Sequence, residues 1–385
     1  MSSSSSSREQ KASKEWMPRM WQGCIFHSWM RMLAKNHFLI HPSKLYIGCN
    51  ITAISTLHLG LRLLQKGLYG TIPEKTVVKH APVFIIGHWR TGTTLLHELM
   101  ILDPRHNYPN TYQCLEPNHF LLTEKFFKTY FNFLLPSRRP MDNMEAGWDK
   151  PQEDEFALCM MGQPSPYLDI AFPNNNPIDK DAFEIDSLPS HKKESWKQDF
   201  KRFLSELTFN DSRRLVLKSP THTARIRTLL ELFPDARFIH IVRDPYVVFP
   251  STVNLWKSLY DTHGMQTPNY LGIEEKVLSE FQVLYNCVDR DKSLLKPSRF
   301  FEVRYEDLIK DTLPIMENIY QQLELGDFSL ASPNIQRYLD NRKDYKTNSY
   351  KSPEPRLLAM INERWGDVID RYGYPRRESA ASLLV

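Results

Sequence analysis

Three cations stand where short apolar runs give way to polar text: Arg90 after Val83–Ile86, Lys218 after Leu215–Leu217, and Arg243 after Phe238–Val242. The first sits inside the turn Gly87–Thr94, bracketed by Gly87 and Gly92. From Thr93 the text becomes helical, with Leu95, Leu96, Leu99 and Met100 recurring at three and four. Glycines let a backbone approach an anion, and a helix starting there aims free N–H groups and its positive dipole end at it. Arg90, Gly92, Thr93 and Thr94 supply more polar donors than a chain reversal needs. The chemistry this pattern offers is the grip of a phosphate-like group. A nucleotide-hydrolysing P-loop would carry Lys where Thr93 stands. Here Arg90 is the only cation in the loop, so the anion is held from alongside the turn.

The elements that must position these cations alternate. Helical text over about 192–207 leads to the strand at Leu215–Leu217, and a helix across Thr223–Phe233 leads to the strand at Phe238–Val242. A helix over Ile273–Leu294 precedes a third such strand, Phe300–Tyr305, and the acidic turn Glu306–Asp307. Alternating strands and helices predict an α/β fold with a mostly parallel central sheet and ligand sites at the strand C-termini. In such a sheet Arg90, Lys218 and Arg243 would face one crevice. Ser251 follows Arg243 by eight residues, just past Pro250, which should bend its helix. Arginine and hydroxyl can then hold one phosphate from two sides.

Between cradle and second strand, Cys114–Leu135 reads as an aromatic-loaded helix ending at Pro136 and Pro140. Asp149–Gly162 reads as another, opened by Pro151 and the acids Glu153, Asp154 and Glu155. Residues 163–190 are rich in Pro, Asn and Asp and read as a long surface loop bordering a pocket.

A chain of 385 residues with 41% hydrophobic and 24% charged residues is an ordinary globular protein. Its net charge of +4 suits a small anionic ligand and does not point to nucleic acid. The five cysteines are dispersed without a CxxC or a His/Cys cluster, which argues for free thiols in a reducing compartment and against a structural metal. Residues 1–14 read as a disordered tail, 15–78 as a helical N-terminal extension and 79–385 as the main domain. No apolar core of a secretion signal follows a basic start, so a cytoplasmic location is expected. In the extension, Trp16, Trp21, Phe26, Trp29, Met30, Met32 and Phe38 alternate with Lys and Arg. That pattern reads as a helical pair packed on the domain, with peripheral membrane contact through residues 15–70 as the sharper alternative. Ile47, Ile51, Ile54, Leu57, Leu61 and Leu64 mark the expected buried face of its long helix, and not a membrane span.

Four stretches together resemble a known family: RTGTT after an apolar strand, LKSPTH, RFIHIVRDP with Ser251 beyond it, and RYEDL. They are similar to the sulfotransferases that use 3′-phosphoadenosine 5′-phosphosulfate (PAPS), in the bacterial-type branch, whose members also show text like PQEDEFAL at Pro151–Leu158. The resemblance covers about residues 80–325. It implies a P-loop-like three-layer fold and transfer of a sulfuryl group to an acceptor hydroxyl or amine, leaving 3′,5′-bisphosphoadenosine. It also implies that Arg90, Thr91, Gly92, Thr93 and Thr94 hold the 5′-phosphosulfate, with Arg90 where cytosolic relatives usually have Lys. Arg243 and Ser251 would hold the 3′-phosphate, Tyr305 would lie near the adenine, and Lys218 would approach the sulfuryl group. The chain departs from the cytosolic pattern at Pro220, where those relatives place a catalytic histidine, and His222 stands two further on. Their C-terminal Arg-Lys-Gly has an echo only in Arg342-Lys343-Asp344.

Sulfuryl transfer is an in-line displacement that needs a base for the acceptor proton and positive charge for the leaving oxygen. Arg90 and Lys218 can meet that charge without a metal. Glu153 would share a helix face with Phe156, Ala157 and Met160, partly desolvated and with its pKa raised, ahead of His222 and Glu155 as base. Asp154 is expected to serve the helix end, and His97 and His119 to be structural. A small-molecule, carbohydrate or lipid acceptor is expected. The competing readings are a P-loop NTPase or kinase, which Thr93 disfavours, and an adenosine-phosphate binder without catalysis, which Arg90 and Lys218 disfavour.

Overall fold

The computed structural model describes residues 19–131, 147–177, 182–342 and 353–377. The chain divides into two compact units, one of Met1–Lys75, Pro109–Lys180 and Leu255–Leu271, the other of Thr76–Tyr108, Asp181–Asn254 and Gly272–Val385.

The second unit is built on a sheet of five strands among the described residues: β1 (Val83–Ile86), β2 (His106–Asn107), β3 (Arg214–Lys218), β4 (Arg237–Val242) and β5 (Phe300–Arg304). Their order is β2-β3-β1-β4-β5, and every pairing is parallel. Short runs of β-branched and aromatic residues form strands here because both faces are covered. All four residues of β1 are buried. On one face Val83 and Ile85 pack with Leu96, Leu99 and Met100 of the helix Thr93–Met100, and with Met316 and Ile319 of the helix Thr312–Gln322. On the other, Phe84 meets Phe238, Phe233 and Phe200, the last carried by the helix Ser190–Asn210. Burying each such side chain contributes about 1.5–3 kcal/mol, so this double cover fixes where β1 ends.

In the first unit, Trp21 and Trp29 are fully buried, as aromatic packing predicts, whereas Phe38 is exposed. The helix Phe26–Lys35 packs beside the long helix Leu45–Tyr69, and Trp29 Nε1 donates to Thr52 Oγ1 at 2.9 Å. The long helix buries only part of the expected stripe. Its buried residues are Ile47, Gly48, Ile51, Ser55, His58 and Gln65, while Leu57, Leu63, Leu64 and Leu68 are exposed. The helix is apolar on most sides, so periodicity alone does not choose the face.

Prolines correct two expected helices. Cys114–Leu135 is broken into Thr111–Leu115 and Phe120–Tyr130, because Pro117 lacks an N–H and disfavours helical geometry at Glu116, which has φ −122° and ψ 51°. Its expected stop at Pro136 and Pro140 lies outside the described residues, as do Trp16 and the expected tail at 1–14. Asp149–Gly162 shortens to Asp154–Met160, since Pro151 is drawn into an extended bridge with Asn110. The expected surface loop after it is packed instead: Tyr167, Leu168, Ile170, Ala171 and Phe172 are buried around the turn Pro166–Ile170. The expected helix at Thr223–Phe233 starts only at Ile226, after a tight turn over Pro220–Ala224. The helix Pro245–His263 continues through Pro250.

Candidate active site

The strand order places β3, β1, β4 and β5 side by side, so their C-terminal ends bring Lys218, the Gly87–Thr94 turn, Arg243 and Tyr305 to one edge of the sheet. The turn is closed by contacts that only its own residues allow. Gly87 has φ 143°, and a Cβ there would lie 2.4 Å from the Ile241 carbonyl oxygen. Thr223 clasps this glycine, accepting from its N–H at 2.8 Å and lying 3.2 Å from its carbonyl oxygen. The Thr91 hydroxyl donates to the His88 carbonyl at 2.7 Å. Gly92, with φ 103°, caps the helix Thr93–Met100 without a side chain bonded to the first-turn N–H groups. Those donors keep the aim of an anion cradle.

Arg90 has φ 69°, a left-handed conformation that costs a non-glycine residue on the order of 1 kcal/mol and concentrates at functional sites. In that pose its Nε donates to Ser251 Oγ at 2.9 Å, and its carbonyl accepts from Arg243 at 3.0 Å. The Arg243 guanidinium lies over the Tyr305 ring, 4.2 Å from its centroid. The same ring leaves no room for a Cβ at Gly92, which would fall 2.3 Å from Tyr305 Cδ2. Arg90, Gly92, Arg243, Ser251 and Tyr305 are thus one connected set. Tyr305 is buried and acts as a platform for Arg243. Thr93 is buried and Thr94 partly so, both in the first helical turn. Lys218 is buried at the end of β3, in register with Ile85 of β1.

The base candidates are placed differently. Glu153 is the N-cap of the helix Asp154–Met160, with φ −75° and ψ 123°, so it is not inside the helix and does not share the expected face. It is half-buried, and its carboxylate accepts from the Tyr167 hydroxyl. Tyr167 in turn stacks on Phe156 at 4.9 Å. Asp154, expected to serve the helix end, stands in the first helical turn and is fully buried, as is Glu155. His222 is fully buried among Phe84 and Phe200, with ring centroids 5.4 and 5.5 Å away. His97 meets the Val216 carbonyl at 3.1 Å, in keeping with a structural role.

Arg342 pairs with Glu98 at 2.9 Å, while Lys343 and Asp344 lie outside the described residues. A cation the motif reading missed is Arg377, which bonds Asp244, the neighbour of Arg243, at 2.6 Å. Its backbone N–H also donates to the Tyr246 hydroxyl at 3.0 Å. The only sequence signal was a basic pair, Arg376-Arg377, far from any motif.

His88, fully buried in the turn, is a titratable group there. Burial lowers its pKa from 6.5 to about 4, with its bond to the Trp89 carbonyl pulling weakly the other way. A depressed folded pKa means the unfolded chain takes up the proton first. Stability is therefore complete above about pH 6.5 and falls as pH drops toward about 4, by an upper bound of about 3 kcal/mol. Thermal unfolding across this window should show the loss, and His88→Asn should flatten it. A variant with the same acid slope as wild type would remove His88 as its source.

Residues 82–329 match the model of the sulfotransferase family. Over 372 residues the chain is 46% identical to the omega-hydroxy-beta-dihydromenaquinone-9 sulfotransferase Stf3 of Mycobacterium bovis and to that of Mycobacterium tuberculosis, covering 96% of this chain and 95% of each relative. Its fold is shared with the crystal structure of sulfotransferase STF9 from Mycobacterium avium, at a TM-score of 0.70 and 19% identity, over 91% of this chain and 93% of that one. Sulfotransferase STF1 from Mycobacterium tuberculosis matches at a TM-score of 0.58 and 17% identity, over 84% and 85%. The motifs, the parallel sheet with its cradle and these likenesses agree: the chain belongs to the sulfotransferase family.

Proposed function

We propose that this sulfotransferase takes its sulfuryl group from PAPS and passes it to a hydroxyl on an apolar, lipid-like acceptor. The observation that carries the donor assignment is the connected set of Arg90, Ser251, Arg243 and Tyr305 beside an uncapped helix N-terminus. In the transfer, the acceptor oxygen bonds to sulfur as the bond from sulfur to the bridging phosphate oxygen breaks. The acceptor proton passes to the base, and negative charge grows on the leaving oxygen. Arg90 and Lys218 meet that charge, so no metal is assigned to the step. The first-turn N–H groups and Thr91, Thr93 and Thr94 line the 5′ side, and Arg243 with Ser251 serves the 3′-phosphate.

A 3′-phosphate is what separates PAPS from ATP, the ligand of the competing NTPase reading. A charge-assisted bond from Arg243 contributes about 1.5–3 kcal/mol and the Ser251 hydroxyl about 1. Calorimetric titration should therefore find 3′,5′-bisphosphoadenosine bound at least tens-fold tighter than ATP, with or without EDTA, and Arg243→Ala should erase most of the difference. Equal affinities would reject the assignment.

For the base we choose Glu153, which keeps partial exposure where Glu155 and His222 are fully buried, and which accepts from the Tyr167 hydroxyl. Glu153→Gln should cut turnover by about 10²–10⁴-fold while bisphosphoadenosine still binds. An active Glu153→Gln enzyme beside an inactive, folded His222→Ala enzyme would transfer the role to His222.

The acceptor class rests on the Stf3 relatives, whose name specifies an omega-hydroxylated menaquinone derivative. Support also comes from the first unit, where Leu57, Leu63, Leu64, Leu68 and Ile72 are all more than half exposed, as are Phe126 and Tyr130 on the helix Phe120–Tyr130. Such a surface suits an enzyme that works in the cytoplasm while resting on a membrane. The long helix also has the length and composition to cross a bilayer. The full-length protein should float with lipid vesicles, be released by alkaline washing, and lose flotation in a Leu63→Glu/Leu68→Glu variant. Mass spectrometry of reactions with PAPS and a hydroxyl-ended isoprenoid lipid should show the gain of one sulfuryl group. Retention after alkaline washing would mean a spanning helix, and absence of the product would reject the acceptor class.

A further inference from the structure

In the first unit, the break that Pro117 makes between two helices brings Glu116 and His119 against His58 of the long helix. His58 Nδ1 lies 3.3 Å from Glu116 Oε2, and His119 Nε2 lies 3.3 Å from the same oxygen. The two imidazole rings are tilted against each other with centroids 4.5 Å apart, and the three facing atoms all lie within 4.8 Å of one another. The side chains of His58, Glu116 and His119 are 8%, 16% and 3% exposed. None of those three atoms has a hydrogen-bond partner among the described residues. Three buried polar atoms turned toward one point with no hydrogen bond to satisfy them cost about 1–3 kcal/mol each unless something else does.

The surroundings set the histidine lone pairs. Thr123 Oγ1 lies 2.9 Å from the His119 carbonyl, which can only accept, so the hydroxyl proton goes there. The Tyr112 hydroxyl donates to Thr123 Oγ1 at 2.8 Å. Thr123 is then an acceptor for His119 Nδ1, 2.9 Å away. With the proton on Nδ1, Nε2 presents a bare lone pair to the cluster, the tautomer a metal-bound histidine takes from its outer partners. The Cys24 thiol donates to Met160 Sδ at 3.6 Å.

We propose that His58, Glu116 and His119 form a site for one divalent transition metal of the zinc class, which clamps the long helix Leu45–Tyr69 to the turn before Phe120. The ligand set of two imidazoles and a carboxylate is one zinc accepts. Ligands about 2.0–2.1 Å from a tetrahedral ion stand about 3.3–3.4 Å apart, which is the separation both histidines keep from Glu116. Three protein ligands leave a fourth position for water or another donor. The site belongs to the first unit and is independent of the donor and base assignments above.

The test uses the full-length protein, stripped with a chelator and titrated with Co²⁺ as a spectroscopic probe, followed by displacement with Zn²⁺. One equivalent of Co²⁺ should produce the visible absorption of a tetrahedral N₂O site, and Zn²⁺ should abolish it and raise the unfolding temperature. His58→Gln and His119→Gln should each weaken binding by more than about a hundredfold and remove the zinc-dependent thermal shift. Glu116→Gln, which keeps the shape, supplies the comparison if either histidine variant fails to fold by circular dichroism. Wild-type protein without a stoichiometric cobalt band, or a band that survives in folded His58→Gln/His119→Gln, overturns the site.

Discussion

The second unit depends on one tight contact, the Tyr305 ring pressed against Gly92 and capped by the Arg243 guanidinium. It joins the turn after β1 to the residue after β4 and to the residue after β5. Any side chain at position 92 would push the ring away, and the ring is what holds the guanidinium in reach of the Arg90 carbonyl. The left-handed turn at Arg90 is then over-determined from both ends, which is how local strain persists in a folded protein. The parallel sheet makes this possible by setting four consecutive strand ends beside one another.

The first unit follows a different logic. Its long helix buries a half-polar stripe of Ser55, His58 and Gln65 and turns several leucines outward. A helix that hides polar groups and shows apolar ones is costly in water. The buried imidazole meets a carboxylate and a second imidazole, while the exposed leucines form a face of the kind that lipid would cover. Tyr167 adds a further polar contact within the unit, donating to the Glu153 carboxylate at the start of its helix.

Much of the second unit could be read from the chain. Val83–Ile86, Leu215–Leu217 and Phe238–Val242 are short, apolar and buried on both faces, so hydrophobicity and length identify them without any partner. The cradle was equally legible, because Gly87, Arg90, Gly92 and Thr93 lie within one turn and their conformational demands are local. Pro117 and Pro151 are equally visible in the chain, and the helices around them are shorter than periodicity suggests.

What the chain determined by itself was therefore everything carried by neighbouring residues: strands, the glycine turn, the order of its motifs and the sulfotransferase resemblance. Tertiary structure decided which cations share a set: Arg243 bonds the Arg90 carbonyl, while Arg342 pairs with Glu98 and Arg377 with Asp244. It also decided that His222 packs among aromatic rings, that Glu153 stands at the N-cap position of a helix, and that His58 meets Glu116 and His119 from 58 and 61 residues away. The physical reason is the range of the interactions. Backbone preference and hydrophobic period act over a few residues, whereas the meeting of distant side chains is set by how helices and strands pack, and packing leaves no spacing in the sequence.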